Sequence, residues 1–264
     1  MAARLVILGG GQMGAALLEG LLRKKTLEAP DVVVVEKVAE RRRQLAKEHR
    51  GLRTEAEMVP AEGLVLAVKP DDAEAACRAA KTAGVRRVVS IVAGLPLARL
   101  EDWLGDEAAV VRAMPNTAAL VGGAASALAP GRRAGDPELA WAAEILEAVG
   151  TVTRVPEELL DAVTGLSGSG PAYVFLLAEA LIEGGVAAGL PRETSRALAT
   201  QTLLGSARLL AETGTEPATL RAGVTSPGGT TAAALRVLEN RGVRAAFLEA
   251  VLAATARSRE LGGR

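Results

Sequence analysis

Hydrophobic positions along the chain fall into two patterns that change near residue 155. Before it, short β-branched and aliphatic runs recur without polar alternation: RLVIL (4–8), VVVVE (32–36), LVLAV (64–68) and RVVSIV (87–92). Such runs predict strands buried on both faces. Between them, residues 12–23, 39–49 and 71–83 repeat apolar side chains at helical spacing. That alternation predicts a parallel sheet covered by helices. Three further runs, AAVVRA, SALAP and TVTRV, extend the sheet to about Val155.

After Pro156 the β-branched runs stop, and residues 172–188, 192–212 and 231–261 read as helices with small residues along their faces. Helices this rich in alanine and leucine must bury apolar surface somewhere. A partner subunit is the expected place, so this half is expected to dimerise.

Composition narrows the class. The 264 residues carry 31 basic and 31 acidic side chains, which points to neither nucleic acid nor membrane as a partner. The single cysteine, Cys77, excludes an intrachain disulfide and a thiolate metal site. The single histidine, His49, falls in a charged helical stretch and is expected to be exposed. The start, MAARLVILGGG, is too short and glycine-broken for a signal peptide. The apolar stretch 172–190 contains Glu179 and Glu183, which favours a buried helix over a membrane span. A cytoplasmic protein is expected, with no metal.

GGGQMG places Gly9, Gly11 and Gly14 in the spacing G-x-G-x-x-G, directly after a strand and at the start of a helix. In that context the glycines permit a tight turn, close approach to a pyrophosphate and helix–strand packing. A strand-to-helix turn without a ligand is the bland alternative. Glu36 ends the second strand 22 residues after Gly14, where a carboxylate accepts hydrogen bonds from an adenosine ribose. A 2′-phosphate there meets like charge, worth roughly 4 kcal/mol at ~4 Å and a surface-like dielectric. Lys37 and Arg41–Arg43 offset it, so Glu36 tilts the choice between NADPH and NADH towards NADH. A solvated strand-end acid is the alternative.

Reduction of a ketone usually needs a proton carrier. All lysines (24, 25, 37, 47, 69 and 81) and His49 lie in the first third, and Tyr173 is the only phenol. An imine can be protonated before it meets a hydride, so imine reduction suits these residues better. Lys69, at a strand end on the cofactor side, is the one escape from that reasoning. Near the carboxyl end, VTSPGGTTAAALRVLE (224–239) sets two hydroxyls and freed amides at a helix start. That is either a site for a small anion such as a carboxylate or an ordinary capped turn.

Together GGGQMG (9–14), AVKP (67–70), RAMPNT (112–117), LSGSGPAYVF (166–175), VTSPGGTT (224–231) and ALRVLENRGVRAAFLEA (234–250) resemble the pyrroline-5-carboxylate reductases, in the family's order over nearly the whole chain. Ala118 stands where the family often has proline. Glu36 replaces the small or polar residue of NADPH-preferring members.

The resemblance implies NAD(P)H-dependent reduction of L-1-pyrroline-5-carboxylate to L-proline. It implies a Rossmann-type dinucleotide-binding domain (1–155) and an all-helical substrate-binding and dimerisation domain (156–264), in a homodimer that some relatives stack into rings. Gly9, Gly11, Gln12, Met13, Gly14 and Glu36 are then cofactor residues. Ala67, Val68, Lys69 and Pro70, with Ala93, Gly94, Pro115 and Asn116, wall the nicotinamide end. Ser226, Gly228, Gly229 and Thr230 cradle the substrate carboxylate. Thr231 faces the imine as a positioner, catalytic in that sense.

The stretch SGSGP is expected to form a tight loop before a helix beginning near Pro171, with Tyr173 packed on Phe175. Two rivals stand beside this reading. A hydroxy-acid dehydrogenase would need a lysine in the helical half, which has none. A nucleotide-sensing regulator would have no use for Ser226 and Thr231.

Overall fold

The computed structural model describes residues 2–263. It divides into two compact units, Met1–Ser169 with Leu252–Arg264, and Gly170–Val251.

The first unit carries an eight-stranded sheet. Its strands are β1 (Ala3–Leu8), β2 (Val32–Val35), β3 (Arg53–Glu55), β4 (Ala61–Leu66), β5 (Arg87–Ser90), β6 (Ala109–Met114), β7 (Ala124–Pro130) and β8 (Gly150–Arg154). They lie in the order β3-β2-β1-β4-β5-β6-β7-β8. Pairing is parallel except between β6 and β7, which run antiparallel, so the sheet is mixed and not wholly parallel. The short β3 is too polar to announce itself as a strand.

Alternate residues of one strand feed separate cores. Leu5, Ile7, Val32 and Val34 face helices α1 (Gln12–Arg23), α2 (Ala39–Glu48) and α5 (Asp136–Glu147). Val6, Val33, Val35 and Leu64 face α3 (Ala73–Thr82) and α4 (Leu97–Leu104). Leu17, Leu18 and Leu21 of α1 are fully buried, each worth roughly 1.5–3 kcal/mol. That burial fixes the end of α1 that follows the glycine loop. The chain leaves β1 for β2 on one side and returns to β4 on the other, so a crevice opens at the carboxyl ends of β1 and β4.

The short α6 (Leu160–Val163) continues into a π-helical turn, Thr164–Gly168, closed by the Ser169 amide on the Thr164 carbonyl at 2.8 Å. The expected loop at SGSGP is therefore helical. Residue 171 is a proline without an N–H, and glycines at 165, 168 and 170 let the turn widen.

The second unit contains α7 (Gly170–Ala187), α8 (Arg192–Thr213), α9 (Pro217–Gly223), α10 (Thr230–Asn240) and the start of α11 (Val243–Gly262). The helix expected over 231–261 is two helices. Gly242, at φ +68°, donates to the Glu239 carbonyl and ends α10 in a left-handed cap. Arg244 then pairs with Glu239 across the break, which lowers the carboxyl's pKa. Helices α7 and α8 approach closely where Ser195 donates to the Ile182 carbonyl at 2.7 Å, beside Gly185. No residue of α7 is buried within the single chain, and Phe175 and Leu176 are 63% and 68% exposed. Tyr173 and Phe175 stand two residues apart on α7, which sets them about 160° apart round the helix.

Candidate active site

The glycine loop shows which of its glycines the fold itself demands. Gly9 stands at φ +110°, and a Cβ there would run onto the Ala67 carbonyl of β4's exit. Gly14 is buried in the first turn of α1, and its Cβ would land on the Gly9 carbonyl oxygen. Gly11 is different. Its backbone (φ −67°, ψ −170°) suits any residue, and no atom lies within 4 Å of a Cβ built there. The chain's own packing gives no reason for glycine at 11. The space beside it belongs to a cleft of about 850 Å³.

Glu36 is half-buried on that cleft, directly after β2. One carboxylate oxygen accepts the Gly10 amide at 2.9 Å and the other the Val38 amide at 2.9 Å. Arg41 donates from Nε to the Gly10 carbonyl at 2.8 Å, so both sides of Gly10 are tied to the β2–α2 segment. Arg42 donates to the carbonyls of Glu36 and Lys37. Across the cleft lining, Lys37 Nζ and the Asp72 carboxylate pair at 2.9 and 3.0 Å.

Gly9, Gly11, Glu36, Ala67, Val68 and Lys69 line this one cleft. Gln12 and Met13 open α1 beside it, with amides that lack intrahelical acceptors. Pro70 starts the turn that leads to α3. Exposed Ala93 and left-handed Gly94 (φ +73°) follow β5, and Gly94 lies against Leu261 at the end of α11. Pro115 and Asn116 are buried just past β6. The Lys37–Asp72 pair and Met58, which follows β3, also line the cleft; neither carries a motif by which a sequence could flag it.

In the second unit, Ser226–Thr231 forms a turn into α10. Gly228 is left-handed (φ +71°), the Gly229 amide donates to the Ser226 carbonyl at 3.0 Å, and Ser226 Oγ fills the place of a Gly229 side chain. Thr230 is exposed and Thr231 half-buried in the first turn of α10. The turn thus combines hydroxyls with helix N-terminal amides, a setting for a small anion.

Two titratable residues stand apart from this chemistry. Burial pushes the Cys77 thiol up to about 12, so it is no nucleophile at neutral pH. His49 is half-buried at the end of α2, contrary to expectation, with Nδ1 3.8 Å from the Glu19 carboxylate.

Residues 157–261 match the family model described as pyrroline-5-carboxylate reductase dimerisation, and residues 4–94 match NADP oxidoreductase coenzyme F420-dependent. The helical run Glu157–Ala187 is long and apolar enough to cross a membrane by length and composition, and it lies within the residues that match the dimerisation model. A pyrroline-5-carboxylate reductase of Synechocystis sp. is 46% identical over 99% of each chain. One from Methanosarcina acetivorans is 43% identical over 97% of this chain and 96% of its own. Among solved structures, the Coxiella burnetii pyrroline-5-carboxylate reductase superposes with a TM-score of 0.91 at 34% identity over 99% of both chains. The Plasmodium falciparum pyrroline carboxylate reductase, solved with NADP bound, reaches 0.85 at 30% identity over 98% of both. Identity of this degree, spread over both halves and joined to the same fold, means that the chain belongs to the pyrroline-5-carboxylate reductase family.

Proposed function

We propose that this protein reduces L-1-pyrroline-5-carboxylate to L-proline, the last step of proline biosynthesis, in the cytoplasm. The observation that carries the reading is the Ser226–Thr231 turn, an anion cradle at a helix start within a half of the chain that has no lysine or histidine. A substrate with a carboxylate and a pre-protonated imine needs that cradle and no enzymic acid.

A reduced nicotinamide, when bound, supplies the hydride. Residues of the first unit fit such a dinucleotide, because Gly11 keeps open a space that nothing in the chain occupies. The first-turn amides of α1 would hold its phosphates. Glu36 would accept ribose hydroxyls through lone pairs not used by Gly10 and Val38, which leans the choice towards NADH. Ala67, Val68, Lys69, Pro70, Ala93 and Gly94 are assigned to the nicotinamide end.

In the second unit Ser226, Gly228, Gly229 and Thr230 hold the carboxylate, aided by the positive end of α10. Thr231 steadies the ring nitrogen. When C5 gains the hydride, the C=N π pair collapses onto nitrogen, and the resulting neutral amine takes its proton from water. The working form is a homodimer, with rings of dimers as the larger assembly to look for by light scattering. The residue ranges 1–155 and 156–264 are assigned to cofactor and to substrate with dimerisation, respectively.

Oxidation of NADH and of NADPH, followed separately with L-1-pyrroline-5-carboxylate, tests the reading. Turnover with at least one cofactor is expected. A protein that oxidises neither, yet reduces a 2-keto or 3-keto acid, would refute it.

A further inference from the structure

Pro171 deprives one carbonyl of the π turn of its ordinary α-helical donor. In an α-helix the Ser167 carbonyl would accept the amide of residue 171. Residue 171 is proline and has none. The side chain of Asn116 supplies the missing donor, with Nδ2 3.0 Å from the Ser167 oxygen. Its Oδ1 meanwhile accepts the Ala118 amide at 3.3 Å and caps the turn after β6. Asn116 is 9% exposed, and each end of its amide makes one hydrogen bond inside the protein. A second contact joins the same two segments. A Cβ on Gly168 would come 2.7 Å from Cε of Met114, the last residue of β6.

We infer that Asn116 is a positioning residue, and not a cofactor ligand as the family resemblance suggested. It joins the RAMPNT loop to the LSGSGP turn through the carbonyl that Pro171 leaves unpaired. The loop it holds leaves β6 at the carboxyl end of the sheet, where β1, β4 and β5 also end, because these strands run parallel. The inference rests on the reaction proposed above. Its consequence is that the joint sets the geometry for hydride transfer while contributing little to cofactor affinity.

Asn116→Asp isolates the joint, since aspartate caps the Ala118 amide as well as asparagine does but cannot donate to Ser167. Pro171→Ala returns an N–H four residues after Ser167. The full-length protein, both single variants and the double variant are compared in thermal unfolding, in cofactor Kd by calorimetry, and in kcat with L-1-pyrroline-5-carboxylate. For Asn116→Asp, kcat is expected to fall by about 100-fold, as for a misplaced reacting group, with Kd within about threefold of wild type. In the double variant Pro171→Ala should recover part of both kcat and unfolding temperature.

Additive unfolding shifts would show that Asn116 does not serve the carbonyl left by Pro171, and would overturn the inference. So would an unchanged kcat, or a Kd that rises in step with the loss of kcat, the mark of a direct ligand. Inactivity of the wild type towards the imine overturns the reaction instead, and the unfolding cycle then still decides the joint.

Discussion

The Glu36 carboxylate sits 2.9 Å from the amide of Gly10, the middle residue of the glycine loop. Its other oxygen takes the Val38 amide, so this one side chain ties the end of β2 to the exit of β1. Glu36 therefore does structural work on the glycine loop whether or not a ribose is present. A 2′-phosphate approaching it would meet negative charge and, being an acceptor itself, would compete with Glu36 for the Gly10 and Val38 amides.

Glu36→Gln separates the two roles. It removes the charge and keeps one acceptor for the loop. The ratio of kcat/KM for NADPH over NADH is expected to rise by about tenfold or more, since ~1.4 kcal/mol is tenfold and one charge at surface-like dielectric is worth more than that. KM should rise modestly for both cofactors, because one backbone hydrogen bond is lost. An unchanged ratio in steady-state kinetics would mean that Glu36 serves the loop alone.

Glycines 11 and 14 should behave in opposite ways. Gly11→Ala meets open space and an ordinary backbone, so the unfolding temperature should stay within a degree or two while KM for the cofactor rises about tenfold or more. Gly14→Ala forces a methyl group onto the Gly9 carbonyl oxygen, and overpacking of that kind costs roughly 1–3 kcal/mol or more. Calorimetry and cofactor titration on both variants check this. Normal cofactor binding by Gly11→Ala would mean that no ligand comes close to that position.

Thr231→Ala tests positioning against proton delivery. Loss of one hydrogen bond to a charged group, ~1.5–3 kcal/mol, lowers kcat/KM roughly 10- to 150-fold. The pH profile should keep its shape, since a protonated imine needs no donor. If an ionisation disappears from the profile in the variant, Thr231 takes part in proton transfer.

Leu176→Glu tests the apolar face of α7, where Leu176 is 68% exposed in the single chain. An unpaired carboxylate buried at a subunit interface is costly, so light scattering at micromolar concentration should find monomers in place of dimers. A dimer that survives the change would mean that this part of α7 lies outside the subunit contact.

Much of this protein was open to reading before any fold was known. Runs such as VVVV at 32–35 are strands because β-branched residues buried on both faces leave little else for them to be. The glycine loop is legible for the same kind of local reason: Gly9 must be left-handed, and Gly14 must lack a side chain. The six ordered motifs carried the family, since they span both halves of the chain.

Other features depend on partners distant in sequence. Two helices stand in 231–261 because one residue, Gly242, goes left-handed at φ +68°, and a helical pattern on both sides masks that. Helical periodicity likewise could not reveal that a π turn, Thr164–Gly168, runs into SGSGP, or that a side chain 51 residues upstream of Ser167 bonds its carbonyl. The pairing of Lys37 with Asp72, and of Glu36 with Gly10, also joins residues that sheet order alone brings together. The sequence by itself determined the apolar strands, the glycine turn after β1 and the chemistry on offer, because these follow from backbone sterics and side-chain type within a few residues. Which polar groups are already spent inside the protein, and which remain open to a ligand, was decided only by the tertiary structure, because hydrogen-bond satisfaction is settled between segments far apart along the chain.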